Sequence, residues 1–254
     1  MKMKKIMFLA ACMIAAVLGA AETLFDGNSP AVWTSKRITS GNDGILTGTC
    51  GFAVVKSKEF ITVEKGKTYV ISGEFRLVEP PAKATIYFGF IPYTETGREI
   101  PYYAVTTVSK SVASLAKDVN AGDNSIVLKD AEKWKINTLG RIVFNAKEDL
   151  SDLPNFDFSP ALESKQVKVN TDGTIEIPVK KPFAKAYPAG TVVRQHIVGN
   201  AYIYAGAGRR ANEWMTFSKR YTTFYPGTAK IKLAFNMNVA KCQIEMRNIK
   251  VTVE

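Results

Sequence analysis

Histidine is scarce in this chain: His196 is the only one among 254 residues. A histidine-rich zinc or copper site is therefore excluded, and a Ser-His-Asp triad would have to use His196. That residue lies in the strand-like segment TVVRQHIVGN, and the chain has no GxSxG nucleophile elbow. We therefore predict no catalytic residue and no cofactor, and we expect His196 to be hydrogen-bonded or at the surface.

Long hydrophobic runs are also missing. The longest, IMFLAACMIAAVLGA, is shorter than the roughly 18 to 20 residues that a membrane span needs. It follows three lysines and ends in small residues before Glu22, which is the pattern of a secretory signal peptide at residues 1–21. We predict a secreted, periplasmic or cell-surface protein without a membrane span. Alternatively, LAAC at 9–12 is a lipobox, and Cys12 would carry the lipid anchor.

Cysteine is nearly absent, since signal-peptide cleavage would leave only Cys50 and Cys242. Two distant cysteines cannot form a four-ligand metal site. In an oxidising compartment they favour a disulfide, which would place the first strands beside the last. The alternative is two separately buried thiols.

The chain carries 34 basic and 23 acidic residues, but the basic excess is uneven. Residues 113–182 contain 10 basic and 11 acidic residues, so the excess lies outside the middle third. Such a surface suits an acidic polysaccharide or cell envelope, or serves only solubility. No run of five basic residues exists, and we predict no nucleic-acid partner.

The periodicity is that of β-strands almost throughout. Alternating apolar and polar residues flank the turn EKGK in EFITVEKGKTYVISGEFRLV, which predicts a hairpin over 59–78. Further strands are predicted in ATIYFGFIPY, AYIYA, AKIKLAFNM and KCQIEMRNIKVTVE, with short helices only in SVASLAKDV and DAEKW. The predicted class is all-β, a jelly-roll-type sandwich.

The neutral middle third has its own pattern. Strand-like segments bracket the polar, turn-rich loop NAKEDLSDLPNFDFSP. We predict a discontinuous sandwich formed by residues 22–110 and 197–254, with an inserted small β-barrel-like module at 111–196. The alternative is one continuous sandwich with a long excursion.

Glycines 206 and 208 precede two arginines in AYIYAGAGRRANEW. A phosphate-binding loop would need a helix after Arg210, whereas the following ANEWMTFSKRYTTF alternates like a strand. We therefore predict a strand-to-strand turn with solvated arginines.

Several segments carry a family resemblance. The stretch GKTYVISGEFRL after Trp33, the late EWMTFSKRYT and the closing IEMRNIKVTV resemble carbohydrate-binding modules and their galactose-binding-like jelly-roll relatives, over about 140 residues. Arg247 and Asn248 stand where acidic residues are usual, so the resemblance does not extend to their calcium site. The middle third is similar to small β modules of exported bacterial and phage structural proteins.

Aromatic residues are the candidate binding groups. Ile86, Phe88 and Phe90 share the face of one strand that we expect to be core, which turns Tyr87 and Tyr93 outward. Flat sugar faces pack on such rings, and polar neighbours bind the hydroxyls. The predicted carbohydrate-binding residues are Tyr87, Tyr93, Arg98, Tyr102, Tyr202 and Tyr204. Alternatively, these tyrosines cover the second sheet or the insertion. All three tryptophans, Trp33, Trp134 and Trp214, are predicted to be core.

The resulting expectation is an exported, non-catalytic carbohydrate-binding module whose partner is a polysaccharide or glycan surface. The alternative is a structural or adhesive subunit of an extracellular assembly, with protein partners. A polysaccharide-degrading enzyme ranks third, and it would need two carboxylates in one cleft. Glu95 and Glu99 flank a turn, and the acidic loop of residues 149–157 is a weak calcium candidate that lacks the D-x-D-x-D-G pattern.

Overall fold

A computed structural model describes residues 21–78, 80, 84–134, 140–163, 166–200, 202–238 and 242–254. The predicted signal peptide and the alternative lipidation site at Cys12 lie outside these residues, apart from residue 21. Within the described ranges, no helix has the length and hydrophobicity to cross a membrane.

The first sheet joins the first and the last described strands of the chain. Its order is β15-β6-β17-β3-β2, and β1 also pairs with β17. Every pairing is antiparallel. The strands are β1 (Glu22–Asp26), β2 (Ile38–Ser40), β3 (Leu46–Cys50), β6 (Tyr69–Val78), β15 (Met215–Tyr221) and β17 (Cys242–Val253).

The second sheet faces the first across the core. Its order is β14-β7-β16-β4, and β5 also pairs with β16. The strands are β4 (Val55–Lys56), β5 (Ile61–Thr62), β7 (Ile86–Tyr93), β14 (Ile203–Gly208) and β16 (Lys230–Met237). The long, β-branched and aromatic strands form the centre of each sheet, as strand propensity predicts.

The third sheet has the order β10-β13-β8-β9-β12-β11. Its strands are β8 (Thr107–Leu115), β9 (Ser125–Lys129), β10 (Gly140–Phe144), β11 (Lys168–Val169), β12 (Ile175–Pro178) and β13 (Val192–Ile197). A hydrophobic cluster of its own includes Phe144 and Trp134. The boundaries of an inserted module at 111–196 stay a prediction.

The sandwich core follows from strand alternation. Along β6 every second residue is buried, and the inward side chains of both facing sheets meet in one cluster. Phe75 of the first sheet lies 4.8 Å from Phe88 and 6.2 Å from Phe235 of the second, measured between ring centroids. The predicted all-β class and jelly-roll-type sandwich are thereby confirmed.

Three predictions of local structure are wrong. The strands on either side of EKGK do not form a hairpin, because β5 pairs with β16 in the second sheet and β6 belongs to the first. The turn at Gly66 instead carries the chain from one sheet to the other, which alternation alone does not reveal. The predicted helix SVASLAKDV lies largely in β8, and DAEKW forms a turn.

The tryptophan assignments hold for two of three residues. Trp33 and Trp134 are buried, as predicted. Trp214 is instead half-buried on the outer face of the first sheet, with its ring 4.9 Å from the Arg76 guanidinium and 4.1 Å from that of Arg247. It precedes buried Met215, so alternation turns it away from the core.

The cysteines lie on neighbouring strands. Cys242 of β17 is directly opposite Cys50 of β3 in the antiparallel register, so the first strands do lie beside the last. Directly opposed residues have Cα atoms about 4.5 to 5.5 Å apart, within the range that a disulfide spans. Cys242 is a buried free thiol in the structure, and the side chain of Cys50 is outside the described part. The disulfide stays a prediction.

Candidate functional site

The outward face of the second sheet carries the candidate site. On β7, Ile86, Phe88 and Phe90 are fully buried in the core, which confirms the predicted inward face. The opposite side chains of β7 and β16 therefore point away from the first sheet. They include Tyr87, Ile91, Tyr93, Lys232 and Asn236.

Edge strand β14 and the residue just before it add two tyrosines, Tyr204 and Tyr202, to this face. Tyr204 is 38% exposed, and its ring centroid lies 5.4 Å from that of Tyr87 and 4.8 Å from that of Tyr202. Ile203, between them in sequence, packs against the core, as predicted. The three tyrosines form one cluster, and Tyr204 is its solvent-facing member.

Tyr202 packs within the protein and supports the position of β14. Its hydroxyl lies 3.1 Å from the backbone carbonyl oxygen of Tyr87 and close to that of Ala234, either of which can accept its one hydrogen, while the side chain packs on a small cluster with Ile91 and Tyr93. Burial raises the pKa of Tyr202 well above its ordinary value. The hydroxyl is thus engaged within the protein, and the ring holds β14 against the sheet.

The close approach of β14 depends on Gly89. A Cβ at this position would lie 1.9 Å from the Ile203 carbonyl oxygen and 2.9 Å from the Tyr204 Cα, both backbone atoms. Only glycine permits this approach. The register of β14 also shifts between Tyr204 and Gly206.

A cavity of about 310 Å³ opens over this face. Lys56 donates to Glu99, at 2.9 Å, and to the Tyr93 hydroxyl, at 3.2 Å. Burial acts to lower the pKa of Lys56, but these two bonds outweigh it, so the pKa is raised and the ammonium stays charged. The lining residues are Val54, Lys56, Ile91, Glu99, Asn200, Tyr202, Tyr204 and Asn236.

Asn236 brings an unused acceptor to this cavity. Its Oδ1 is buried and has no hydrogen-bond partner in the described part of the chain. Buried polar atoms are nearly always paired, so an orphaned acceptor in a cavity wall is suited to a donor from a ligand. The cavity therefore offers a cation, a carboxylate and amides beside an aromatic wall.

A second depression, of about 490 Å³, adjoins the first and shares Asn200, Tyr202 and Tyr204 with it. Its other wall contains Tyr102 and Tyr225. The Tyr102 ring packs directly on Gly199, because a Cβ added to this glycine would lie 2.6 Å from a ring carbon of Tyr102. Tyr202 and Tyr204 thus separate two neighbouring cavities.

Four of the six predicted residues, Tyr87, Tyr102, Tyr202 and Tyr204, are brought together here, and two take other positions. Tyr93 is only 7% exposed, because Phe60 packs on its ring at 5.1 Å, so it offers no stacking surface. Arg98 turns toward the loop after the third-sheet strand β10, with its guanidinium 3.7 Å from the Phe156 ring.

Sequence reasoning missed Lys56, Glu99 and Asn236 as lining residues. Alternation in KIKLAFNM places Asn236 outside, opposite Leu233 and Phe235, and could have indicated it. The Lys56–Glu99 pair joins residues far apart in sequence, and no local pattern shows it.

The predicted turn in AGAGRR is only partly confirmed: residues 205–208, including both glycines, belong to strand β14, and the connection to β15 is formed by residues 209–214. Strand β14 ends at Gly208 and β15 begins at Met215, without a helix between them. Arg210 is exposed and lies 3.6 Å from Glu213.

His196 is buried in the third sheet and fully hydrogen-bonded. Its Nδ1 lies 2.7 Å from the Tyr103 carbonyl, and its Nε2 accepts from Arg194 Nε at 2.9 Å. These partners define a neutral ring with the proton on Nδ1. Burial, and to a lesser extent the Arg194 charge, lowers the pKa of His196 to about 4.

This burial predicts an acid-sensitive fold. Unfolded His196 takes up a proton near its ordinary pKa of 6.5, whereas folded His196 does so only near 4. The stability that depends on neutral His196 is fully present above pH 6.5. As the pH falls from 6.5 to 4, the free energy of unfolding decreases by roughly 3 kcal/mol in all. Denaturant unfolding at pH 7, 6 and 5 should show the decline, and His196→Gln should flatten it. An equal slope in the variant would contradict this assignment.

The carboxylates considered above for catalysis or calcium binding, in the turn at 95–99 and the loop at 149–157, are engaged with cations or hydrogen-bond donors. Glu95 pairs with Lys230, at 3.3 Å, and Asp157 with Lys185, at 2.6 Å. Burial acts to raise the pKa of Asp157, but hydrogen bonds from Lys185 and Tyr187 outweigh it and the pKa is lowered. Within the described ranges, no group of three or more His, Cys, Asp or Glu residues could hold a metal ion.

No protein-family model matches the sequence, and no curated protein matches it. Among solved structures, the chain is similar to the CBM22-1 xylan-binding domain from Paenibacillus barcinonensis Xyn10C. The identity is 10%, the alignment covers 92% of each chain, and the TM-score is 0.30. A likeness at this level does not bear on function, so the functional argument depends on the site itself.

Proposed function

We propose that this protein is an exported, non-catalytic carbohydrate-binding module and that it binds glycan on the outward face of its second sheet. One observation carries the proposal: Tyr204 faces solvent beside a cavity whose walls offer both donors and acceptors. Sugars present flat C–H faces and rings of hydroxyls, and sites for such ligands combine aromatic surface with a few placed polar groups.

The polar groups suit hydroxyls. Lys56 donates, Glu99 accepts, and Asn236 presents an acceptor without a partner among the described residues. The Lys56–Glu99 ion pair is partly exposed at both ends, so a hydroxyl can insert beside it without leaving either charge buried alone.

The same cavity supports binding rather than hydrolysis. Glycoside hydrolysis requires two carboxyl groups about 5 to 10 Å apart across the scissile bond. Glu99 is the only carboxylate among the cavity's described lining residues, and it is paired with Lys56. Export remains part of the proposal on the strength of the N-terminal signal pattern.

We also propose that residues 111–196 are an inserted module. All six strands of the third sheet lie between Thr107 and Ile197, and their buried residues form a separate cluster. The two ends of this segment lie side by side, because β8 pairs with β13: Val112 is opposite Arg194, and Thr107 is opposite His196.

The test is a binding screen of the mature protein against neutral and acidic polysaccharides by affinity electrophoresis. Tyr204→Ala should weaken binding about tenfold or more, because truncating a central aromatic contact typically costs about 2 kcal/mol. Tyr204→Phe keeps the ring and loses only the weak bond from Asn200, at 3.3 Å, so it should bind nearly normally.

Trp214→Ala is the matched control. It removes a half-buried aromatic ring from the outer face of the opposite sheet and should leave glycan binding unchanged. Failure to bind any glycan would refute the proposal. If Trp214→Ala lost glycan binding and Tyr204→Ala kept it, the binding site would lie on the first sheet, which would contradict the proposal.

A further inference from the structure

Strand alternation places Lys219 on the face of β15 that packs against the core. On β15, Met215, Phe217 and Tyr221 are buried and face the second sheet, and Lys219 lies on the same side. It is nevertheless exposed, because β15 is an edge strand, and its Nζ lies 5.4 Å from the Tyr221 ring centroid. The ammonium is thus held at the open side of the sandwich.

Two cavities meet at this lysine. One is the 490 Å³ depression that contains Tyr204, and the other, of about 370 Å³, is lined by Tyr221 and Phe224. Lys219 and Tyr225 line both. A glycan stacked on Tyr204 would therefore reach Lys219 around the edge of β14 without leaving the aromatic surface.

The charged side chains that line these two cavities, among the described residues, are both basic. Arg220 is the other charged residue among their described lining residues, and it is neutralised by Glu254, to which its Nη1 donates at 2.9 Å. No carboxylate lines either cavity in the described ranges, and no ion pair to Lys219 occurs there. An uncompensated ammonium beside aromatic surface attracts an anionic group.

We propose that Lys219 binds the carboxylate of a uronic acid and makes this module selective for acidic glycans. The inference rests on the proposed function and names its ligand class. The sugar ring packs on Tyr204, and the carboxylate accepts a charge-assisted hydrogen bond from the Lys219 ammonium.

A charged residue that points inward on an edge strand also discourages pairing with another chain. Edge protection alone predicts that Lys219→Gln promotes self-association and leaves glycan preference unchanged. Ligand recognition predicts the reverse, so the two roles are separable by experiment.

The test uses one oligosaccharide in two forms: a uronic-acid-containing oligosaccharide and the same molecule with its carboxyl groups reduced to alcohols. The wild type should bind the acidic form about tenfold more tightly, since a hydrogen bond to a charged group adds about 1.5 kcal/mol or more. Lys219→Gln should lose this preference and keep its affinity for the reduced form. Lys250→Gln, an exposed lysine on β17, should behave like the wild type.

The outcomes separate this inference from the proposed function. Equal affinity of the wild type for both forms, or a preference retained by Lys219→Gln, would overturn the role of Lys219 and leave the Tyr204 site standing. Binding of neither form by the wild type would overturn the selectivity for acidic glycans, whereas the proposed function is overturned only if no glycan of the wider screen binds.

Discussion

Replacing Asp152 with alanine should lower the free energy of unfolding by about 3 to 5 kcal/mol, because it would leave a buried arginine unpaired. Arg194 is only 2% exposed, and its Nη2 donates to Asp152 Oδ2 at 2.7 Å. Burial acts to raise the pKa of Asp152, but hydrogen bonds from Arg194, Asn155 and the Lys147 amide outweigh it. The pKa is lowered, and the carboxylate is charged at neutral pH.

Denaturant unfolding of Asp152→Ala beside Asp149→Ala would measure this effect. Asp149 is exposed in the same loop and, among the described residues, accepts only from Ser151, so its removal should cost less than about 1 kcal/mol. In the double variant Asp152→Ala with Arg194→Met, no buried charge remains, and much of the stability should return. A loss below 1 kcal/mol in Asp152→Ala would show that the pair is not buried as described.

Gly89→Ala should both destabilise the sandwich and abolish glycan binding. The added methyl group would collide with the backbone of Ile203 and Tyr204, which has no flexible end that could move aside. Overpacking of this kind costs about 1 to 3 kcal/mol. Because the clash pushes β14 away, Tyr202 and Tyr204 would leave the second sheet together, although neither was mutated.

Thermal unfolding and glycan affinity of Gly89→Ala are the two readouts. Thr62→Ala, at the exposed position of β5 in the same sheet, should change neither by a measurable amount. A folded Gly89→Ala that binds glycan normally would contradict the role assigned to the β14 approach.

The fold class and the inward face of β7 could be predicted from sequence, because burial imposes a two-residue period on a strand. The pairing of β5 and β6 could not, since the same alternation fits a hairpin and a crossing between sheets. Trp214 was misassigned for a related reason: its size suggests a core residue, but its register position, one before buried Met215, turns it outward.

The candidate site was partly predictable for similar reasons. Alternation turned Tyr87 and Tyr204 outward, but it could not show that Phe60 covers Tyr93 or that Arg98 reaches Phe156. Those contacts join parts of the chain whose proximity only the tertiary fold defines. The position of Lys219 is visible in the sequence as a charge on the apolar face of MTFSKRY, but its meaning depends on the cavities beside it.

Hydrogen–deuterium exchange of the mature protein with and without a bound glycan tests the central claim most directly. The account predicts that the glycan slows exchange in β7, β14 and β16 and in the loop at Asn200, and that the outer face of the first sheet is unaffected. Protection confined to the third sheet, or to β6 and β17 around Trp214, would contradict a binding site on the second sheet.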